Sequence, residues 1–208
     1  MMRRRTALAM IGLLAVPCAA RAAVPTDPSP SAPIAALNAG LLQVMQSGPN
    51  TTFAARMAIM SPVVEHAFDL KLILQNSVGP SKWATISETD KAELIDVFTQ
   101  FTIASYVANF KSYSGEKFVI SPDLRHVGQD VVVQTRIIPT NGETTRLDYV
   151  MRETDSGWHV VDILLDGSIS RVAVTRSDFR SLLSQGDATK LIDSLRSKVA
   201  SLQAEVTQ

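Results

Sequence analysis

Apolar residues recur at helical spacing through the first half of the chain and alternate with polar ones through much of the second. Ile34, Leu37, Leu41, Val44 and Met45 fall on one helical face, and Gly48-Pro49 ends the run. Residues 52–60 read as a second helix. Ser61-Pro62 fits a cap followed by proline at the first position of a third, which carries Val63, Val64, Ala67, Phe68, Leu70 and Ile73 to the break at Gly79-Pro80. Ser87-Glu88-Thr89-Asp90 predicts a capping box. The helix it starts has a wide apolar-to-small face of Leu94, Val97, Phe98, Phe101, Ala104, Ser105 and Ala108, ending near Lys111.

The period then changes. Residues 117–120 and 131–138 are rich in β-branched side chains, with Pro122 and Pro139 at or beyond their ends and residues 124–128 between them as a loop. Asn141-Gly142 marks a turn. Residues 144–152 alternate Leu147, Tyr149 and Met151 with Arg146, Asp148 and Arg152, as a strand covered on one face does. Asp155-Ser156-Gly157 turns into a strand over 158–165. A helix begins within 167–174 and reaches Ser184, and Gly186-Asp187 precedes a last helix bearing Leu191, Ile192, Leu195, Val199 and Leu202. Helices followed by an antiparallel meander and closing helices predict an α+β fold. The expected form is a curved antiparallel sheet closing on the helices as a cone, of the nuclear-transport-factor-2 type.

The ends change the picture of where such a domain works. Arg3, Arg4 and Arg5 precede an apolar run over 7–16 that is too short to span a bilayer, and Ala20-Arg21-Ala22 offers a cleavage site. The expectation is a cleaved signal peptide over 1–22, a Pro-rich leader over 23–33 and one domain over 34–208. Cys18 is the single cysteine of the 208 residues, so the exported domain has no disulfide and must hold its fold by its core. The formal charge of zero changes too. Without Arg3, Arg4, Arg5 and Arg21 there remain 16 basic residues against 20 acidic ones, a net charge near −4. That balance, with no basic run beside an aromatic platform, argues against a nucleic-acid site and against an anionic bilayer surface.

Catalytic chemistry finds no anchor. His66 lacks a second histidine one turn on, so the zinc-binding helix pattern is absent and no metal site is expected. His126 falls in the predicted loop. His159 and Asp162 are three apart in a strand and face opposite ways unless a bulge intervenes; Asp148 and Tyr149 are adjacent and do the same. There is no nucleophile elbow, phosphate loop or dinucleotide fingerprint. From periodicity alone the aromatic and aliphatic faces read as core.

Two segments bear on function. One runs Phe68-Asp69-Leu70-Lys71-Leu72-Ile73-Leu74 to Gly79 and on through Trp83 to Tyr106-Val107-Ala108-Asn109-Phe110. The other is Trp158-His159-Val160-Val161-Asp162-Ile163-Leu164-Leu165-Asp166-Gly167-Ser168-Ile169-Ser170, continuing from Arg171 to Phe179. Together they resemble the MlaC family of periplasmic lipid carriers, also called toluene-tolerance auxiliary proteins. The 166–171 wording is most similar to the hopanoid-associated HpnM branch. The resemblance implies a non-enzymatic protein without a cofactor, whose helices and sheet leave a gap for a membrane lipid, phospholipid or hopanoid. The expected lining is Leu70, Ile73, Leu74, Phe98, Phe101, Tyr106, Phe110, Leu147, Tyr149, Met151 and Trp158. Arg171 and Arg176 are candidates for a head group or a partner. It also implies an inner-membrane lipid transporter of the ABC/MCE or RND type as partner, with an outer-membrane acceptor beyond it. The rivals are an enzyme using the same cone and an adaptor subunit with a filled core.

Overall fold

The computed structural model describes residues 29–207; the expected signal peptide, Cys18 and most of the leader lie outside them. Helix α1 (Ala32–Gln46) packs on α2 (Phe53–Ala67), whose first turn is capped by Thr52 accepting from the Ala55 amide at 3.2 Å. Three shorter or longer helices follow: α3 (Leu70–Val78), the single turn α4 (Pro80–Trp83) and the long α5 (Glu88–Asn109). Ser87 caps α5 as expected, accepting from the Asp90 amide at 3.1 Å.

The predicted boundary at Ser61-Pro62 does not exist. Proline inside a helix removes one hydrogen bond and costs about 3 kcal/mol. Met60, Val64 and Ala67 are fully buried along α2, and that burial keeps the helix intact through Pro62. The Ser61 hydroxyl donates back to the Met57 carbonyl at 2.8 Å instead of capping a new helix. The break falls at Phe68, which is extended and lies beside Val160, while the Asp69 amide donates to the Val160 carbonyl at 3.0 Å. Asp69 then caps α3 through the Leu72 amide at 2.9 Å.

The sheet is an open antiparallel meander of β1 (Lys117–Val127), β2 (Asp130–Ile138), β3 (Thr145–Thr154), β4 (Gly157–Leu165) and the two-residue β5 (Ile169–Ser170), in chain order. Strand β1 absorbs the predicted 124–128 loop, so His126 sits opposite Val131 in a ladder. The register skips between Ile120 and Leu124, and Pro122 lies in that skip, where its missing N–H breaks no ladder bond. At the β4–β5 turn Gly167 has φ +74°, and a Cβ there would lie 2.7 Å from the Arg146 guanidinium carbon, so only glycine fits. Helix α6 (Arg171–Phe179) follows, extended by a 3-10 turn (Arg180–Leu182), and α7 (Thr189–Thr207) closes the chain against α5. This is the α+β plan that the pattern predicts.

The core joins α1, α2, α5 and α7 through Ile34, Leu37, Leu41, Met60, Leu94, Leu191 and Leu195, all essentially inaccessible. Arg56 lies inside it, 3% exposed, with no carboxylate partner. Its guanidinium donates to the carbonyls of Val44 (2.9 Å), Gly48 (2.6 Å), Thr51 (3.2 Å) and Lys111 (3.0 Å). It thus satisfies the end of α1 and the chain just beyond α5, where the negative ends of helix dipoles favour a cation.

Candidate functional site: an apolar hollow between α3, α5, α6 and the sheet

Helix α5 has two working faces. Leu94, Val97, Ala104, Val107 and Ala108 are buried in the helical layer. Phe98, Phe101, Thr102, Ser105, Tyr106 and Asn109 follow the i, i+3, i+4 spacing of a second stripe and line a hollow. Leu70 and Ile73 of α3 form another wall, with Phe68 before them. The end of the sheet where Leu147 pairs with Leu165 supplies the floor with Ile163, and Arg171, Val172 and Thr175 of α6 form the remaining side. The volume is about 370 Å³, partly open to solvent and mostly apolar, within the range of roughly 300–1,000 Å³ usual for small-ligand sites.

The polar atoms in the wall are largely occupied by the protein itself. Thr102 donates to the Phe98 carbonyl at 2.8 Å and Ser105 to the Phe101 carbonyl at 2.7 Å, one turn back on the same helix. Asp162 accepts from the Ile163 amide (2.8 Å), the Val172 amide (3.0 Å) and the Ser170 hydroxyl. Ser170 in turn accepts from the Ala173 amide at 3.0 Å, so carboxylate and hydroxyl together hold the start of α6 onto β4. The aromatic wall is continuous. Phe68 meets Tyr106 at 5.8 Å between ring centres, Tyr106 stacks on Phe110 at 6.2 Å, and Phe110 meets Phe118 of β1 at 5.9 Å.

Of the residues predicted as lining, the structure brings Leu70, Ile73, Phe98, Phe101, Tyr106, Phe110 and Leu147 to the hollow, with Arg171 at its side. Leu74 does not reach it: one residue turns a helix by about 100°, and Leu74 points from Ile73 into the fully buried core. Tyr149 and Met151 share the inner face of β3 with Leu147 but sit deeper, behind the wall. Trp158 pairs with Glu153 at the far end of the β3–β4 hairpin, seven residues or roughly 20 Å from Leu165. Arg176 is also off the hollow, donating to the Asn76 carbonyl at 2.8 Å and tying α6 to α3. The pattern missed Phe68, the polar members of the α5 stripe, Asp162, Ile163, Leu165, Val172 and Thr175. The stripe 98-101-102-105-106-109 was available as a signal, hidden because Thr, Ser and Asn do not score as apolar.

The suspected acid–base pairs resolve differently. Strand β4 does carry a bulge, at Val161, so parity does not separate His159 from Asp162. Their partners do. The His159 ring lies 3.0 Å from the His66 carbonyl through Nδ1 and 2.9 Å from the Ser156 hydroxyl through Nε2, while Asp162 holds α6. Asp148 is wholly buried under the two-point grip of Arg146, at 3.0 and 2.7 Å. Tyr149 faces the other way, and burial pushes its phenol up to about 12. Burial raises the Tyr106 phenol well above the ordinary range as well, with Tyr149 beside it adding to the effect. Among the described residues no cluster of histidine, cysteine or carboxylate groups is arranged to hold a metal, and no helix is long and apolar enough to cross a membrane.

A family model described as MlaC protein matches residues 36–197. Among solved structures, a phospholipid-binding protein from Ralstonia solanacearum in complex with a phospholipid is similar in fold. Its TM-score is 0.70 at 21% identity, and the match covers 83% of this chain and 97% of that one. No curated protein matches the chain.

Proposed function

The chain belongs to the MlaC family, and from that premise we propose that it is a periplasmic carrier that holds a membrane lipid in the α3–α5–α6 hollow. The observation that carries this reading is the hollow itself: an apolar space whose wall hydroxyls and carboxylate already have partners in the chain. Such a wall has little to offer a polar substrate and much to offer methylene groups. The phospholipid in the similarly folded Ralstonia protein supports the same reading.

The physical task explains the design. Each methylene moved into water costs ~0.8 kcal/mol, so a lipid with roughly thirty of them faces on the order of 20 kcal/mol in crossing an aqueous space alone. A dry pocket removes most of that without hydrogen bonds to the chains. The head group stays where α6 meets solvent, and Arg171 is the cation there. The wider scheme follows the family reading: export by the 1–22 signal peptide, loading and unloading at an inner-membrane transporter of the ABC/MCE or RND type, and an outer-membrane acceptor. Phospholipid and hopanoid remain the two cargo classes, and no bond is broken in either.

Native mass spectrometry of the protein purified from the periplasm tests this. The expected spectrum shows the chain with one lipid bound, released by organic extraction. A lipid-free spectrum that persists after incubation with phospholipid and hopanoid vesicles overturns the reading.

A further inference from the structure

Most of the hollow is self-satisfied, and the exception is a pair of phenols. Tyr106 lines the hollow, and its ring is fixed between Phe68 and Phe110. Tyr149, 3% exposed, lies directly behind it on β3, and the two hydroxyls interact with one another. Among the described residues neither hydroxyl bonds to any other group.

The hydrogen-bond inventory of such a pair does not close. Each phenol brings one proton and can also accept. Within the pair only one proton can be donated; the second O–H is left over in apolar surroundings. A buried donor without an acceptor is costly, and buried tyrosines ordinarily find a partner. If Tyr149 donates, the leftover proton is on Tyr106, the phenol that faces the hollow. Both groups stay protonated far above neutral pH, so the donor is present under all working conditions.

We propose that Tyr106 is a specificity-determining contact, donating its hydroxyl proton to an oxygen carried within the apolar body of the cargo, with Tyr149 as the positioning residue behind it. The inference rests on the lipid-carrier reading and deepens it. The oxygen it needs is a neutral acceptor at depth, which two cargo classes supply: the ester carbonyl of a diacyl lipid, or the hydroxyl of a polycyclic triterpene alcohol. A pure hydrocarbon surface supplies none.

Paired probes separate the possibilities. The delipidated protein would be offered dipalmitoyl phosphatidylglycerol against its dihexadecyl ether analogue, and a pentacyclic triterpene alcohol against its parent hydrocarbon, each presented in dioleoyl phosphatidylcholine vesicles. In one of the two pairs the wild-type protein should prefer the oxygen-bearing member by about tenfold, the scale of a satisfied against an unsatisfied buried donor. That pair identifies the source of the oxygen. Tyr106→Phe should bring the ratio to about one with uptake of the oxygen-poor member unchanged, which also shows that the variant is folded. Tyr149→Phe should lower the same ratio without touching that uptake. Equal uptake within both pairs by the wild-type protein overturns the inference and leaves the carrier reading standing, as does a ratio unchanged in both variants. Uptake of no probe at all overturns both.

Discussion

The two faces of α5 are built from one helix and do opposite things. Toward α2 and α7 it presents Leu94, Val97, Ala104, Val107 and Ala108, and small residues let the neighbouring helices close on them until no space remains. Toward α3 and α6 it presents Phe98, Phe101 and Tyr106, large rings that hold the opposing elements apart, interleaved with Thr102, Ser105 and Asn109. Hydrophobicity does not distinguish the faces; what matters is whether the partner element can approach. On the second face the approach of α6 is set elsewhere, by the Asp162 grip on its first turn and by Phe179 against Phe98 at 6.4 Å. A fold can therefore keep a hollow beside a close-packed core without any special residue in the hollow, provided that its walls are fastened at their edges.

Substitutions in the packed layer should be the most damaging to the fold. Arg56→Met leaves carbonyls at the end of α1 and beyond α5 without their buried cation. The expected loss is about 4 kcal/mol in denaturant unfolding, by analogy with breaking a buried ionic contact. Arg56→Lys should recover little, because an ammonium cannot span the separate carbonyls that the guanidinium fork reaches. Leu94→Ala comes next, at about 3 kcal/mol, since its site is fully buried among rigid neighbours and cannot collapse. A loss under about 1 kcal/mol at either position would mean that this layer is looser than its burial indicates.

Where the faces meet, Tyr149 gives an effect that depends on pH. Its phenol titrates near 10.0 when unfolded and at about 12 when folded, so the folded chain holds the proton more tightly. Stability from this group is complete below pH 10 and falls as pH rises toward 12, by about 2 to 3 kcal/mol in all. Tyr149→Phe should remove that part of the decline, measured as Tm across the interval.

The contrast between the faces was only half visible in the sequence. The cap at Ser87, the alternation through Leu147, Tyr149 and Met151, and the turns at Asn141-Gly142 and Gly157 all depend on local chemistry and are found where the spacing puts them. Pro62 was misread because burial of Met60 and Val64, a tertiary effect, outweighs the local preference of proline. Strand β1 was read too short because Pro122 resembles an end when it is an insertion. Arg56 has no signal at all: its partners are main-chain carbonyls, which carry no sequence identity. The same limit applies to the hollow. Periodicity says which side chains share a face, but Trp158 and Leu165 share a strand and only one reaches the space. Distance along an element decides that, and it depends on where the helices cross.

On the open face, function and stability should separate. Phe101→Asp places a carboxylate in the hollow, where it is incompatible with acyl chains, yet the ammonium of Lys198 on α7 lies only 5.7 Å from the Phe101 ring and can compensate it. We expect lipid retention to be lost in extraction assays while unfolding changes by less than about 1.5 kcal/mol. Tyr149→Asp, by contrast, buries a charge in the core and should fail by unfolding, so it does not report on the hollow.

The smallest effect should come from Arg176→Ala, and it tests the claim that the walls are fastened at their edges. Arg176 makes one hydrogen bond to the Asn76 carbonyl from an exposed position, worth roughly 0.5–1 kcal/mol. Asp162 and Ser170 still hold the start of α6, and Phe179 still anchors its end against Phe98. If two fastenings suffice, lipid retention by Arg176→Ala equals that of the unaltered protein. Asp162→Asn tests the other fastening, because the amide cannot accept at both oxygens, and retention falls. If instead Arg176→Ala releases lipid as readily as Phe101→Asp, the spacing of α6 from α5 depends on the α3 contact. The two faces of α5 would then differ because of a third element, not because of the rings that they carry.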